Sequence, residues 1–264
     1  MTSKSAGDAK LPVSGCVITY NEQDNVGECL ESLSFCDEII VVDSFSTDRT
    51  LEISREYTSH IYENKYEGNI AQKNFALGKV KNEWVLSLDA DERVSPELRT
   101  EIFTESAKGL NERSGYFVKR HVYYLGKWIN HCGWYPDYKL RLFNRNHGHF
   151  GGSEPHDMFL TRGKVKKLRG EIHHFPCGSL SEHVGTIDKY SSITAANLSF
   201  CSTTKAIPML IFAPLVKFIE MYILKRGFLD GVQGLIICVI SSFSRFLRYA
   251  KAIEVNISRK KQRR

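Results

Sequence analysis

The sequence predicts an α/β protein, with a mostly parallel central sheet flanked by helices and a basic amphipathic helical region after it. Three observations predict this. Short apolar runs alternate with segments whose apolar residues recur at helical spacing, an order that implies parallel strands joined by right-handed crossovers. Two of the runs, Glu38–Asp43 and Trp84–Asp89, are apolar on both faces, as strands covered by helices on both sides are, and each ends on an acid. Charge is divided as well: residues 205–264 carry a balance of +9 and the rest of the chain −3.

Each element follows in order. Gly15 to Tyr20 is an apolar run that opens into the polar loop Asn21-Glu22-Gln23-Asp24-Asn25. Val26, Cys29, Leu30 and Leu33 mark a helix over 26–35 by their spacing. Glu38 to Asp43 is the second strand. Ser44-Phe45-Ser46-Thr47-Asp48 is rich in residues that cap helices, and Thr50 to Tyr57 resumes a helical pattern. Asn69 to Val80 reads as another helix and Trp84 to Asp89 as the third strand. Ser95-Pro96-Glu97 starts a helix with a capping hydroxyl, proline at the first helical position and an acid in the first turn. Parallel strands deliver their carboxyl ends to one edge, where open α/β sheets bind ligands. Thr19 to Glu22, Asp43 and Asp89-Ala90-Asp91 are therefore predicted to converge there. Alternate strand residues point the same way, so Asp89 and Asp91 can share a ligand such as a hydrated divalent cation or a ribose.

Seven scattered cysteines without a CxxC give no disulfide framework, which favours a reducing compartment. The polar stretch Met1–Lys10 has no apolar core for a signal peptide and is expected to be a short disordered leader. No segment reaches the roughly 18–20 uninterrupted apolar residues of a spanning helix; Ile207 to Ile219 is broken by Pro208, Pro214 and Lys217. The tail nonetheless interleaves Phe212, Leu215, Phe218, Ile219, Phe243 and Phe246 with Lys217, Lys225, Arg226, Arg245 and Arg248. Basic amphipathic helices of this kind lie in the bilayer interface and are drawn to anionic lipid. The expected organisation is a leader over 1–10, an α/β domain over 11–204 and a membrane-associating region over 205–264. No nucleic-acid partner is expected, and oligomerisation is left open.

Cys16-Val17-Ile18-Thr19-Tyr20-Asn21-Glu22, Ile39 to Thr50, Ala71-Gln72-Lys73-Asn74 and Leu88-Asp89-Ala90-Asp91-Glu92 together resemble the family 2 glycosyltransferases of the GT-A fold. Gly133 to Phe143, Glu154-Pro155-His156-Asp157 and Tyr222 to Gly231 extend the resemblance to a small bacterial branch that includes the lipopolysaccharide core β-1,4-glucosyltransferases. The resemblance implies inverting transfer of a sugar from a nucleotide-sugar, with UDP-glucose the expected donor, assisted by Mg²⁺ or Mn²⁺. The implied acceptor is a lipopolysaccharide core or related glycolipid or oligosaccharide. The resemblance makes 11–204 the catalytic domain, with a nucleotide-sugar-binding half (11–110) and an acceptor-binding half (111–204). The implied location is cytoplasmic, peripheral on the inner face of the bacterial inner membrane. Thr19, Asn21 and Glu22 fall on the first nucleotide-binding loop, Asp43 on the acid at the base or ribose, and Lys73 on the basic residue near the nucleotide. Asp89, Ala90 and Asp91 fall on the DxD-type motif, whose acids are the implied metal ligands, Asp91 first. Asp157 falls on the implied general base, where many relatives have Glu. Phe45 departs from the small residue, often Gly, of many relatives.

The chemistry suits these residue types. A departing diphosphate needs its charge neutralised, which a hard cation held by carboxylates does. Inversion needs a base opposite the leaving group. Trp134, Asp137, Arg141 and His156 are the candidate acceptor-binding residues: an aromatic face for a sugar, an acid for hydroxyls, and a guanidinium for phosphate. His174, before Phe175-Pro176, is a candidate for the metal or acceptor side. No HExxH or paired Cys/His spacing suggests zinc. A dehydrogenase is disfavoured because no GxGxxG follows the first strand. A nucleotidyltransferase and a non-catalytic basic membrane adaptor are the alternatives. The former lacks its usual Gly- and Arg-rich phosphate loop, and the latter has no need of these acids.

Overall fold

The computed structural model describes residues 10–154, 156–198 and 203–262. The expected leader lies, apart from Lys10, outside the described residues. The chain forms two compact units, Met1–His121 with Asp137–Phe175, and Val122–Pro136 with Pro176–Arg264. Its elements begin with β1 (Leu11–Thr19), α1 (Val26–Ser32), β2 (Cys36–Asp43), α2 (Thr50–Ser54), β3 (Ile61–Glu63), α3 (Asn69–Leu77), β4 (Trp84–Asp89), β5 (Glu92–Val94) and α4 (Pro96–Ala107). There follow β6 (Gly115–Tyr124), β7 (Lys127–Trp128), β8 (Asp137–Asn144), β9 (Gly148–Ser153), β10 (His156–Thr161), β11 (Val165–His174), α5 (Leu180–Leu198), α6 (Thr203–Ile219) and α7 (Gly231–Gln262).

The α/β class and flanking helices are those the sequence predicts. In the first unit the sheet order is β3-β2-β1-β4-β8-β6-β11-β5. β3, β2, β1 and β4 are parallel neighbours; β8 then runs antiparallel to β4, and β6 antiparallel to β8. Along β2 and β4 successive residues feed opposite faces. Val41, Leu86 and Leu88 enter one apolar cluster, while Ile40, Val42 and Val85 enter the other. This is why those strands are apolar throughout. Register fixes the strand ends: Thr19 pairs with Asp43 and Ile18 with Asp89, so the polar termini of β1, β2 and β4 share one edge.

Local signals act where they were read. Val26, Cys29 and Leu30 bury one face of α1, each contributing roughly 1.5–3 kcal/mol for the larger side chains. The Ser95 Oγ accepts a hydrogen bond from the Leu98 amide at 3.2 Å, capping α4 with Pro96 in its first turn; such a cap is worth about 1 kcal/mol. α4 lies so close to β11 that a Cβ at Gly170 would stand 2.4 Å from the Leu98 Cα. A two-stranded antiparallel hairpin, β9–β10, pairs Asp157 with Gly152. It is clamped to α3 by Asn74, whose Nδ2 donates to the Phe150 carbonyl (2.9 Å) and whose Oδ1 accepts from the Phe150 amide (3.0 Å).

The second unit has its own core of Val122, Tyr124, Ile129, Cys132, Met221, Ile237 and Cys238. Buried Asp230 accepts hydrogen bonds from the amides of Asn130 and His131, at 3.2 and 2.8 Å, and so fastens the turn before α7 to the 127–132 loop. α6 continues through Pro208 and Pro214, and a single π turn, Glu220–Leu224, follows it. Prolines and Lys217 interrupt the apolar run in sequence without ending the helix. As a result Ile207–Leu224 and Gly227–Arg259 are each long and apolar enough to cross a membrane by length and composition.

Gly170→Ala is expected to lower the unfolding free energy by about 1–3 kcal/mol, because the added carbon meets helix backbone that cannot turn aside. Gly185→Ala, inside α5 with open space around its Cβ, is the contrast and should raise it by up to about 1 kcal/mol. Urea unfolding of the full chain measures both, and equal stabilities would show that α4 shifts freely.

Candidate active site

Two loops leave the carboxyl edge of the sheet and are tied to each other. The Asp43 carboxylate is fully buried and accepts from the Ser46 amide (2.7 Å) and hydroxyl (2.5 Å). Asn21 adopts the left-handed region at φ 53°, which Asn tolerates better than most residues. Its amide donates to Ser46 Oγ at 2.8 Å, and its Oδ1 accepts from the Thr47 amide at 2.8 Å. The Glu22 amide donates to Thr50 Oγ1 at 2.8 Å. Asp43 and Asn21 thus spend much of their bonding capacity on loop geometry. Phe45 sits between them at φ 63° with its ring 53% exposed. The Thr19 hydroxyl is buried without a hydrogen-bond partner.

At the end of β4 the acids take different roles. Asp89 Oδ2 accepts from Arg141 Nη2 at 2.7 Å, and Oδ1 lies 3.0 Å from Lys73 Nζ. Burial opposes ionisation here, but Arg141 and Lys73 outweigh it and hold the Asp89 carboxyl well below the usual carboxylate range. Lys73 is itself buried on α3 and donates to Asp157 Oδ2 at 2.8 Å; Asn69 Nδ2 stands 3.3 Å from the other oxygen. Arg141 Nη2 also reaches Glu92 Oε1 at 2.6 Å. Glu92 in turn meets Arg120 Nη1 at 3.3 Å, Arg120 Nη2 donates to Asp137 Oδ2 at 2.7 Å, and Lys139 lies 3.3 Å from Asp137 Oδ1. The result is an alternating row: Asp157, Lys73, Asp89, Arg141, Glu92, Arg120, Asp137, Lys139. Its signs cancel.

Asp91 stands off this row. Its Oδ2 is 3.1 Å from His174 Nε2, while its Oδ1 and the His174 Nδ1 are both buried without a hydrogen-bond partner. His174 faces Asp91 through Nε2, so its orphaned Nδ1 is turned to the other side of the ring, and among the described residues no group of three or more metal-ligating side chains gathers here. The uncommitted Asp91 oxygen is the group that fits a divalent cation, which is usually held by one or two carboxylates together with phosphate oxygens. Ala90, buried between Asp89 and Asp91, fills the turn. Glu22 carries the mark of the same neighbourhood. Burial, with the Asp91 and Asp48 charges, pushes its carboxyl up to about 7 against the Asn25 hydrogen bond.

The residues predicted for the acceptor are spread. Arg141 is only 5% exposed, and its guanidinium is engaged by Asp89 and Glu92. Asp137 is engaged within the row by Arg120 and Lys139. Trp134 belongs to the second unit, edge-on to Tyr124 and His183 with ring centroids 5.7 and 5.9 Å away. The His156 side chain lies outside the described residues; its backbone is in β10. Glu92, which sequence reasoning does not single out, is the fully buried hub between Asp89, Arg141 and Arg120. Its signal was present: a third acid directly after the DxD pair, at the start of β5.

The chain is similar to known proteins over most of its length. Residues 14–168 match the model of the family described as Glycosyl transferase family 2. The lipopolysaccharide core biosynthesis glycosyltransferase LpsC of Rhizobium meliloti is 31% identical over 255 residues, 92% of this chain and 92% of its own. An uncharacterized glycosyltransferase of Rickettsia typhi, RT0209, is 29% identical over 268 residues, covering 93% of this chain and 88% of its own. The crystal structure of S. aureus TarS 1–349 with UDP-GlcNAc aligns over 96% of this chain and 92% of its own, with 15% identity and a TM-score of 0.47.

Glu22 gives a pH test. Its folded pKa is raised above the ordinary carboxylate value of 4.5. The associated stability is therefore complete below that value and is lost as pH rises through about 7. Glu22→Gln should melt at a progressively higher temperature relative to the native chain as pH is raised from 5 to 8. A difference in Tm that stays constant over that range would contradict the assignment.

Proposed function

Because the chain belongs to glycosyl transferase family 2, we propose that it is an inverting, metal-assisted hexosyltransferase that takes UDP-glucose as donor and a lipopolysaccharide core or related glycolipid as acceptor. Family membership sets aside the nucleotidyltransferase and adaptor alternatives. The observation that carries the reading is the single ammonium of Lys73. It joins Asp157, on the β9–β10 hairpin, to Asp89, at the end of β4. The candidate base is thereby fixed to the acid beside the donor loops.

The division of roles follows from which oxygens are engaged. Asp89 is held by two cations and serves as a fixed acceptor for donor hydroxyls and a brace for Lys73. Asp91, with one oxygen uncommitted, would hold Mg²⁺ or Mn²⁺, and His174 would fix its other oxygen. When bound, that ion would offset the charge developing on the departing diphosphate. Thr19, Asn21, Glu22 and Asp43 shape the nucleotide loops. In the transfer, the acceptor hydroxyl oxygen bonds to the anomeric carbon as the bond from that carbon to the diphosphate oxygen breaks. Asp157 takes the hydroxyl proton. Lys73 and Asn69 orient the Asp157 carboxylate, and Asp157, one methylene shorter than Glu, depends on them for its position. Trp134, Asp137 and His156 are proposed for the acceptor; the name of LpsC supports the lipopolysaccharide class. The exposed apolar and basic surface of α6 and α7 supports association with an anionic membrane on its cytoplasmic face.

Asp157→Asn should retain donor binding yet lose transfer by about 10²–10⁴-fold, the usual contribution of a general base. Turnover of UDP-glucose within a few-fold of the native enzyme would exclude that role. The ion assignment has its own readout. UDP should raise Tm only with Mg²⁺ or Mn²⁺ present, and Asp91→Ala should abolish that rise; an equal rise without metal would sink it. A thermal-shift screen of nucleotide-sugars with Mn²⁺ tests the choice of donor.

A further inference from the structure

We infer that α6 is embedded in the hydrocarbon of one membrane leaflet as a monotopic anchor, rather than resting among lipid headgroups. The inference deepens the membrane-surface reading above and rests on it. A helix that floats in the headgroup zone needs a polar face, and α6 with its π turn has none. Over Ile207–Leu224 the mean hydropathy is 1.8, and only 6% of the segment is buried within the protein. Exposed Ile207, Ile211, Leu215, Ile219, Phe212 and Val216, at about 100° per residue, sweep roughly half the circumference. Helices that are apolar around most of their girth belong in a core or in a bilayer, and this one is not in a core.

Three further features agree. Lys217 and Glu220, the ionisable residues inside the segment, pair with each other at 3.1 Å, so the segment carries no net charge. Pro208 and Pro214 lie inside the helix; each would be costly in a water-exposed helix but is tolerated in lipid. On α7, which packs along α6, the exposed residues Val232, Leu235, Val239, Phe243 and Phe246 recur every three or four positions. They extend the apolar surface as one stripe, and Arg245 and Arg248, both partly exposed near its C-terminal end, are placed to meet anionic headgroups.

The helix does not pass through the membrane. Its C-terminal end is held in the second unit, where the Lys225 carbonyl accepts from the Cys132 amide at 3.2 Å and Asp230 pins the following turn. α5, which precedes it, packs on α7, so the elements on either side of α6 belong to that same unit. α6 is therefore entered from one side.

The full chain should co-sediment with phosphatidylcholine vesicles and with vesicles containing phosphatidylglycerol, and should stay bound in 1 M NaCl. A tryptophan placed by Phe212→Trp should be quenched by lipids brominated in mid-chain. Phe212→Glu with Leu215→Glu should weaken partitioning by about tenfold or more. Arg245→Gln with Arg248→Gln should reduce only the salt-sensitive part. Complete release by salt would overturn the insertion while leaving surface association standing. Loss of binding to every vesicle would overturn both. A dimer in detergent-free buffer that Phe212→Glu separates would assign the face to a second copy of the chain instead. The metal-dependent UDP shift is read on the same samples, so failure of the anchor and failure of the donor site are told apart.

Discussion

The site depends on the shared guanidinium of Arg141. A single nitrogen, Nη2, lies 2.7 Å from Asp89 and 2.6 Å from Glu92. Without it, two buried carboxylates would face each other at the end of β4, and burial alone would drive one of them to take up a proton. With it, Asp89 stays ionised and can hold Lys73, and Lys73 can hold Asp157. Arginine suits the position because its guanidinium keeps its charge when buried, whereas a buried lysine gives up its proton readily. The price of such a row is desolvation, which is large for every ion in it. The row is therefore better understood as a device for fixing geometry than as a source of stability.

Glu92 shows how the sheet makes this arrangement possible. β4 ends at Asp89, and β5 begins three residues later on the far side of the sheet, paired with β11. The short connection carries Asp91 and Ala90 in its turn and draws the Glu92 carboxylate back to the Asp89 amide, which donates to it at 3.1 Å. The same pairing brings His174, opposite Glu92 in register, to Asp91. One short loop and one strand pair therefore set both the braced acid and the uncommitted one.

The parallel half of the fold was legible because its signals are local. Apolar runs with a period that serves both faces, Ser95-Pro96-Glu97, and acids at strand ends each lie within a few residues of the feature they specify. What was not legible was who partners whom. Arg141 looked available for phosphate because its partners Asp89 and Glu92 lie 52 and 49 residues away. His174 could be suspected but not placed, since Asp91 is 83 residues distant. β3 and β5 are three residues long, too short for periodicity to register. Asp43 was read for its possible ligand, although Ser46, three residues on, takes both of its oxygens. In the tail, the prolines of α6 look like breaks only if the helix is assumed to stand in water.

The cancelling row has a kinetic consequence. Read along the chain, Asp89, Asp91 and Glu92 form an acidic edge that should repel a ligand bearing a diphosphate. Folded, Asp89 and Glu92 are matched by Lys73, Arg141 and Arg120, and Asp137 and Asp157 are matched in their turn. An incoming anion therefore meets a nearly neutral wall with Asp91 as its one uncompensated acid on that turn. Long-range repulsion, which slows encounter and varies steeply with ionic strength, is thereby reduced along this turn to that of one carboxylate. Capture of the ligand becomes a question of fit at short range rather than of approach.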